Sequence, residues 1–147
     1  MWPFTKRKKW EELGRFITRE ELIAKLRMIS GIEPHTRDKV YRCISQKDFE
    51  WLISYARPNG DWIRYKSEIY DCDNFAAGFD TDVARKWAEF SRGDEALAFG
   101  YIAATNPEGL PHAFIWQLDD KGQIHYYEPQ RDAVLTWLPV NIYFIEA

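Results

Sequence analysis

The 147-residue chain is 46% hydrophobic and 16% aromatic, which suits one domain with a buried core and leaves too little chain for two. Twenty basic against 23 acidic residues give a net charge of -3, so there is no global positive field and no nucleic-acid partner is expected. No run approaches the roughly 20 apolar residues of a membrane helix, no apolar signal core follows the basic start, and two cysteines cannot build a disulfide scaffold, so a cytoplasmic protein without a transmembrane segment is expected.

Residues 1–17 read as a solvated N-terminal arm, with Lys6, Arg7, Lys8 and Lys9 set among Trp2, Phe4 and Trp10. A membrane surface or a nucleic acid is the alternative contact for that basic, aromatic run. Residues 18–147 then form a single domain. Thr18 with Glu21 has the spacing of a capping box, Leu22, Ile23, Leu26 and Ile29 mark one helical face, and Gly31 supplies the stop. Ser45 with Asp48 starts a second helix carrying Phe49, Trp51, Leu52, Ile53 and Tyr55, closed by a turn at Pro58-Asn59-Gly60. Phe75, Ala76, Phe79, Val83, Trp87 and Phe90 recur in steps of three and four, which predicts an amphipathic helix over 72–90.

Beyond Gly93 the pattern is one of strands, expected over 96–104, 112–118, 123–128, 134–138 and 141–145. Asp119-Asp120-Lys121-Gly122 makes a hairpin of the second and third. Helices followed by neighbouring strands predict an α+β fold with a mostly antiparallel sheet.

Cys72 stands at the start of the third predicted helix, where unpaired backbone N–H groups and the helix dipole favour a thiolate. Such a nucleophile needs an imidazole to hold and return a proton, and a third polar group to orient that ring. His112 opens a strand after the Asn106-Pro107-Glu108-Gly109-Leu110-Pro111 loop, and Glu128 closes the partner strand. Alternation places Glu128 on the face of Tyr126 and Ile124, with His125 on the other. His35 follows Pro34 in a loop and has no expected role, and Trp116, Tyr126, Tyr127 and Trp137 are expected to pack the sheet.

The blocks Tyr70-Asp71-Cys72-Asp73-Asn74-Phe75-Ala76, Pro111-His112-Ala113-Phe114 and Tyr127-Glu128-Pro129-Gln130 resemble, in order, the catalytic segments of the papain-like domain attached to a fungal lectin, the Marasmius oreades agglutinin. The resemblance covers about half the chain, from Tyr65 to Gln130. It implies a papain-like fold in which N-terminal helices and a nucleophile-bearing helix pack on the sheet. It also implies a cysteine peptidase or amidase that cleaves a peptide or isopeptide bond of a protein substrate, with Cys72 as nucleophile, His112 as acid and base, and Glu128 as third member. Calcium dependence is implied as well. The lectin's sugar-binding module has no counterpart here.

Papain-like enzymes commonly carry a Gln shortly before the Cys as oxyanion donor, and the segment Tyr65-Lys66-Ser67-Glu68-Ile69 has none. Lys66, Ser67 and Gln130 are the expected polar residues on the substrate and oxyanion side, with Gln46 as a further donor, and loss of one such donor costs about 3 to 4 kcal/mol. Asp71 and Asp73, with Asp80 and Asp82, offer hard oxygen ligands for calcium, although the spacing is not that of an EF-hand and Asp71 equally suits a helix cap. Asn74 suits a polar contact or a local hydrogen bond. Acyl transfer of the transglutaminase kind and a non-catalytic binding module on the same fold stand as alternatives.

Overall fold

The computed structural model describes residues 10, 13–57, 72–91, 95–129, 133–135 and 138–147; for 72–74, 133 and 134 the description is of the backbone. The chain runs β1 (Arg15–Thr18), α1 (Arg19–Ser30), β2 (Val40–Cys43), α2 (Gln46–Ala56), α3 (Cys72–Phe90), β3 (Ala96–Leu97), β4 (Phe99–Thr105), β5 (Pro111–Leu118), β6 (Ile124–Glu128), β7 (Ala133–Val134) and β8 (Asn141–Ile145). The fold is α+β: a sheet in the order β7-β6-β5-β4-β8, antiparallel throughout, and a smaller sheet in the order β1-β2-β3 whose second pairing is parallel.

Both predicted caps form. The Thr18 hydroxyl accepts from the Glu21 amide at 3.2 Å, and the Ser45 hydroxyl accepts from the Asp48 amide at 3.1 Å. In place of the return bond of a capping box, the Thr18 hydroxyl donates to the Glu21 carboxylate at 3.3 Å. Gly31 stops α1 at φ 68, a left-handed conformation that only glycine adopts cheaply. The Pro58-Asn59-Gly60 turn lies outside the described residues.

The large sheet is covered on both faces. On one, Ala76, Phe79, Val83 and Trp87 of α3 join Phe49, Leu52 and Ile53 of α2 against Phe99, Ala113, Ile115 and Tyr127. On the other, Leu22 and Leu26 of α1 join Tyr41 and Cys43 against Ile102, Phe114, Trp116, Leu118 and Ile145. Alternation along β5 therefore feeds two cores, which is why its run from Ala113 to Leu118 is buried without a break.

Several expectations need correction. Within the stretch expected to be a solvated arm, Trp10 is 6% exposed, edge-on to Trp87 and stacked on Phe90, and Arg15–Thr18 is a strand. An indole beside an aromatic groove is better buried than solvated, and that outweighs the charge of the preceding run. Strands β1 and β2 interleave with the helices; each has only four residues, too few to show a period of two. The strand expected over 96–104 is split at Ala98, whose N–H donates to Arg42 and whose carbonyl accepts from Leu118, so that this residue ties the two sheets together. The strand expected over 134–138 is the two-residue β7, and 136–137 lie outside the described residues.

Candidate active site

His112 is the second residue of β5 and Glu128 the last of β6. The β5–β6 register pairs Ile115 with Tyr127, so carrying it one step further sets Glu128 opposite Phe114 and makes it the diagonal neighbour of His112 on one face. The His112 Nε2 to Glu128 Oε2 distance is 2.5 Å, which is hydrogen-bonding contact closer than the about 2.7–2.9 Å of an ordinary charge-assisted N–H···O bond. The two side chains are 20% and 16% exposed, shielded from bulk water but open enough to be reached. Phe114, fully buried one step along the face, lies nearly parallel to the imidazole, with centroids 6.1 Å apart at 19°.

The backbone brings the start of α3 to the same end of the sheet. Near the other end of the helix, the Trp87 indole donates to the Glu95 carbonyl at 3.2 Å, just ahead of β3, and Trp87 shares a core cluster with Phe99, the first residue of β4. Helix and strand therefore run in opposite directions. From Trp87 back to Cys72, 87 − 72 = 15 residues, α3 covers about 22 Å at about 1.5 Å per residue. From Phe99 to Thr105, β4 covers about 20 Å. The helix thus begins level with the end of β4 and the start of β5, where Ala76, one turn past Cys72, shares a cluster with Ala113; α3 lies on the Ala113 face of the sheet, and His112 lies on the Phe114 face at the same sheet end. Cys72 and Asp73 are described in backbone only, and Asp71, Lys66, Ser67 and Gln130 lie outside the described residues.

The other thiol has a different character. Cys43 is fully buried and free, and burial pushes it up to about 11, with Arg15 opposing. His125 points away from Glu128, as alternation predicts, and meets Asp119 at 2.7 Å. Burial tends to raise the Asp119 carboxyl, but the His125 bond and the amides of Gln123 and Lys121 outweigh it and hold the carboxyl below the usual carboxylate range. This pair pins the hairpin whose second strand carries Glu128. No pattern rule in the sequence would single it out; the signal is an Asp opening a tight turn with a His on the returning strand.

Gln46 opens α2 and faces the buried Tyr127 hydroxyl, whose pKa is raised by burial. Trp116 is fully buried and its indole donates to the Glu146 carbonyl at 2.9 Å; Trp137 lies outside the described residues. His35 has a structural part that the sequence did not announce, forming a bridge to Glu146 and stacking on Phe144. Asp80 and Asp82 do not join one ligand set, since two residues along a helix turn about 200°. Asp82 meets Arg57 at 3.7 Å and Arg85 at 3.3 Å, whereas Asp80 lines a cavity with Arg37 and Glu146. Among the described residues no group of three His, Cys, Asp or Glu side chains is arranged to hold a metal.

No protein-family model matches the chain, and no curated protein matches it in sequence. Among solved structures it is similar to Polyporus squamosus lectin bound to the human-type influenza-binding epitope Neu5Aca2-6Galb1-4GlcNAc, with a TM-score of 0.74 and 21% identity over 90% of this chain and 49% of that one. It is also similar to a PSL1a–E64 complex, with a TM-score of 0.71 and 20% identity over 90% of this chain and 51% of that one. The chain spans about half the length of these structures, and the likeness is one of fold: this α+β arrangement is that of part of a fungal lectin chain.

Proposed function

We propose that the chain is a cysteine hydrolase with a papain-like fold, acting on a peptide or isopeptide bond through Cys72, His112 and Glu128. The observation that carries the reading is the 2.5 Å His112–Glu128 bond at the sheet end level with the start of α3. A carboxylate bonded to Nε2 fixes the imidazole's tautomer and stabilises its charged form, and the proposed role of Nδ1 is to pair with the Cys72 thiol. A thiol at a helix N-terminus beside an imidazolium loses its proton readily. The fold likeness to a PSL1a–E64 complex also supports the reading, because the epoxide of E64 is opened by thiolates.

In the proposed reaction the Cys72 thiolate adds to the carbonyl carbon, and the oxygen takes the negative charge. The Cys72 backbone N–H is one donor to it, and Lys66, Ser67 or Gln130 is the proposed second. As the tetrahedral adduct collapses, His112 gives its proton to the leaving amine and a thioester remains. His112 then removes a proton from water, which adds to the thioester and releases the acid and the thiolate. Asp71 and Asp73 are the proposed calcium ligands; a cation beside them would offset two carboxylates that otherwise disfavour the thiolate.

The test is alkylation by E64 and by iodoacetamide, read at each cysteine by peptide mass spectrometry with calcium and with chelator. Cys72 should react at least about a hundredfold faster than Cys43, and His112→Ala should remove the advantage. A Cys72 that reacts at the rate of its own H112A variant sinks the proposal. A labelled amine offered in competition with water separates hydrolysis from acyl transfer.

A second reading, a non-catalytic binding module, is favoured by the absence of a Gln in 65–69 and by the lectin neighbours. It gains if Cys72 stays unreactive while the chain binds a glycan such as the epitope carried by the Polyporus squamosus lectin.

A further inference from the structure

Along α3 and the residue that follows it, Asp80, Ala84, Trp87, Ala88 and Ser91 recur in steps of three and four, so they share one stripe. Three of the five are Ala or Ser, too small to fill the space beside the indole. A cavity of about 380 Å³ opens there, within the about 300–1,000 Å³ range of small-molecule sites. Leu97 and Phe99 add apolar wall, and Arg37, Asp38 and Glu146 close it from two distant parts of the chain. It lies away from the candidate active site, since Trp87 is about 22 Å along α3 from Cys72.

The charge of this cavity is one-sided. Asp38, Asp80, Glu95 and Glu146 line it against a single base, Arg37, whose side chain is 78% exposed and reaches Glu146 at 3.5 Å. So exposed a pair holds weakly, and Arg37 leaves the cavity at little cost. Two buried polar groups are also left open. Ser91 is 5% exposed, and among the described residues its hydroxyl has no partner. The Glu95 side chain is 9% exposed; its Oε1 accepts from Arg42 at 3.2 and 2.6 Å, and among the described residues its Oε2 has no donor. Neither atom is sealed from solvent, so both face the cavity that their residues line. A polar group nine-tenths buried and unpaired carries a desolvation cost that the donors of a ligand offset.

The open groups stand at two poles. Asp80 and Ser91 are 91 − 80 = 11 residues apart, about 16 Å along the helix, with Ala84, Trp87 and Ala88 between them. Glu95 belongs to the Ser91 pole, because the Trp87 indole, one turn before Ser91, donates to the Glu95 carbonyl. Glu146 belongs to the Asp80 pole, where burial first and Glu146 second push the Asp80 carboxyl up to about 6, with Arg37 opposing. Among the described residues no three carboxylates converge as a metal ion requires, whereas an organic cation with separated charges fits both poles. We infer that this cavity binds a linear polyamine, with one ammonium end against Asp80 and Glu146, the other against Ser91 and the open Glu95 oxygen, and its methylenes along Ala84, Trp87 and Ala88. An ammonium brings three N–H donors and no acceptor, which suits carboxylates and a hydroxyl. The site stands apart from the hydrolase reading and does not depend on a reactive Cys72.

The experiment is isothermal titration calorimetry of the whole chain with spermidine, putrescine and butylamine at fixed ionic strength. Spermidine should bind at least about tenfold tighter than putrescine, which is too short to reach both poles, or butylamine, which has one charge. Asp80→Asn removes a charged acceptor, and Ala88→Leu fills the cavity without changing its charge; each should weaken spermidine at least about tenfold. Ser91→Ala should weaken it about threefold. Ala88 is exposed and Asp80→Asn removes an unfavourable charge, so both variants should stay folded, which thermal unfolding checks. Glu20→Gln, in the exposed first turn of α1, should leave the affinity unchanged. No binding of spermidine up to the millimolar range, butylamine as tight as spermidine, or an equal loss in the Glu20→Gln variant overturns the inference. Calcium chloride that displaces spermidine ion for molecule also overturns it, since the cavity would then hold a metal.

Discussion

His112 Nε2 and Glu128 Oε2 meet at 2.5 Å across the diagonal of a β-hairpin, with both side chains four-fifths shielded from water. In the proposed site the carboxylate orients the ring and supports its positive charge. Glu128→Gln keeps the size and removes the charge, so the rate of Cys72 alkylation at pH 7 should fall about 100-fold or more, with the apparent pKa of that reaction moving upward. The thermal midpoint should change little beside this loss. A pH–rate profile of iodoacetamide labelling measures both.

Arg42 and Glu95 are a buried pair at 2.6 Å, 6% and 9% exposed, and Arg42 also donates to the Leu13 carbonyl at 2.8 Å and lies over the Phe16 ring. The pair bolts the strand after α3 to β2. Removing one partner strands the other charge, so Glu95→Ala should cost about 3 to 5 kcal/mol in urea unfolding, and Glu95→Gln, which keeps an acceptor, distinctly less.

Asp80 is held up to about 6, first by burial and then by Glu146, with Arg37 opposing. Between the ordinary 3.8 and about 6 the folded chain retains a proton that the unfolded chain has lost, so this group lowers stability as pH rises through that window and has no further effect above it. Asp80→Asn should therefore stabilise the fold at pH 7.5 by about 1 to 3 kcal/mol, with a smaller gain at pH 4.5. Urea unfolding of both proteins at the two pH values gives the comparison.

Asp119 has the opposite sign. Burial alone would raise it, but the His125 bond and two backbone amides lower it, so its contribution is present above the ordinary 3.8 and is lost as pH falls through its own, lower value. Asp119→Ala should cost about 2 kcal/mol at pH 7 and flatten the acid limb of the stability curve. Because the same hairpin carries Glu128, the variant should also slow Cys72 alkylation, which a purely local turn defect would leave untouched.

Local physics is written plainly in this sequence. Thr18 and Ser45 start their helices because a hydroxyl can satisfy an orphan amide from there, Gly31 stops one because only glycine sits easily at positive φ, and the spacing from Phe75 to Phe90 outlines α3 from Cys72 to Phe90. The placing of Glu128 and His125 on opposite faces follows from alternation alone. What needed tertiary structure was every feature whose cause lies far along the chain. Trp10 is buried by Trp87 and Phe90, and β2 exists because Arg15–Thr18 pairs with it. Asp80 and Asp82 part company because their partners stand on different neighbours. A sequence records each residue's preferences, but which distant group satisfies them is settled only when the layers close.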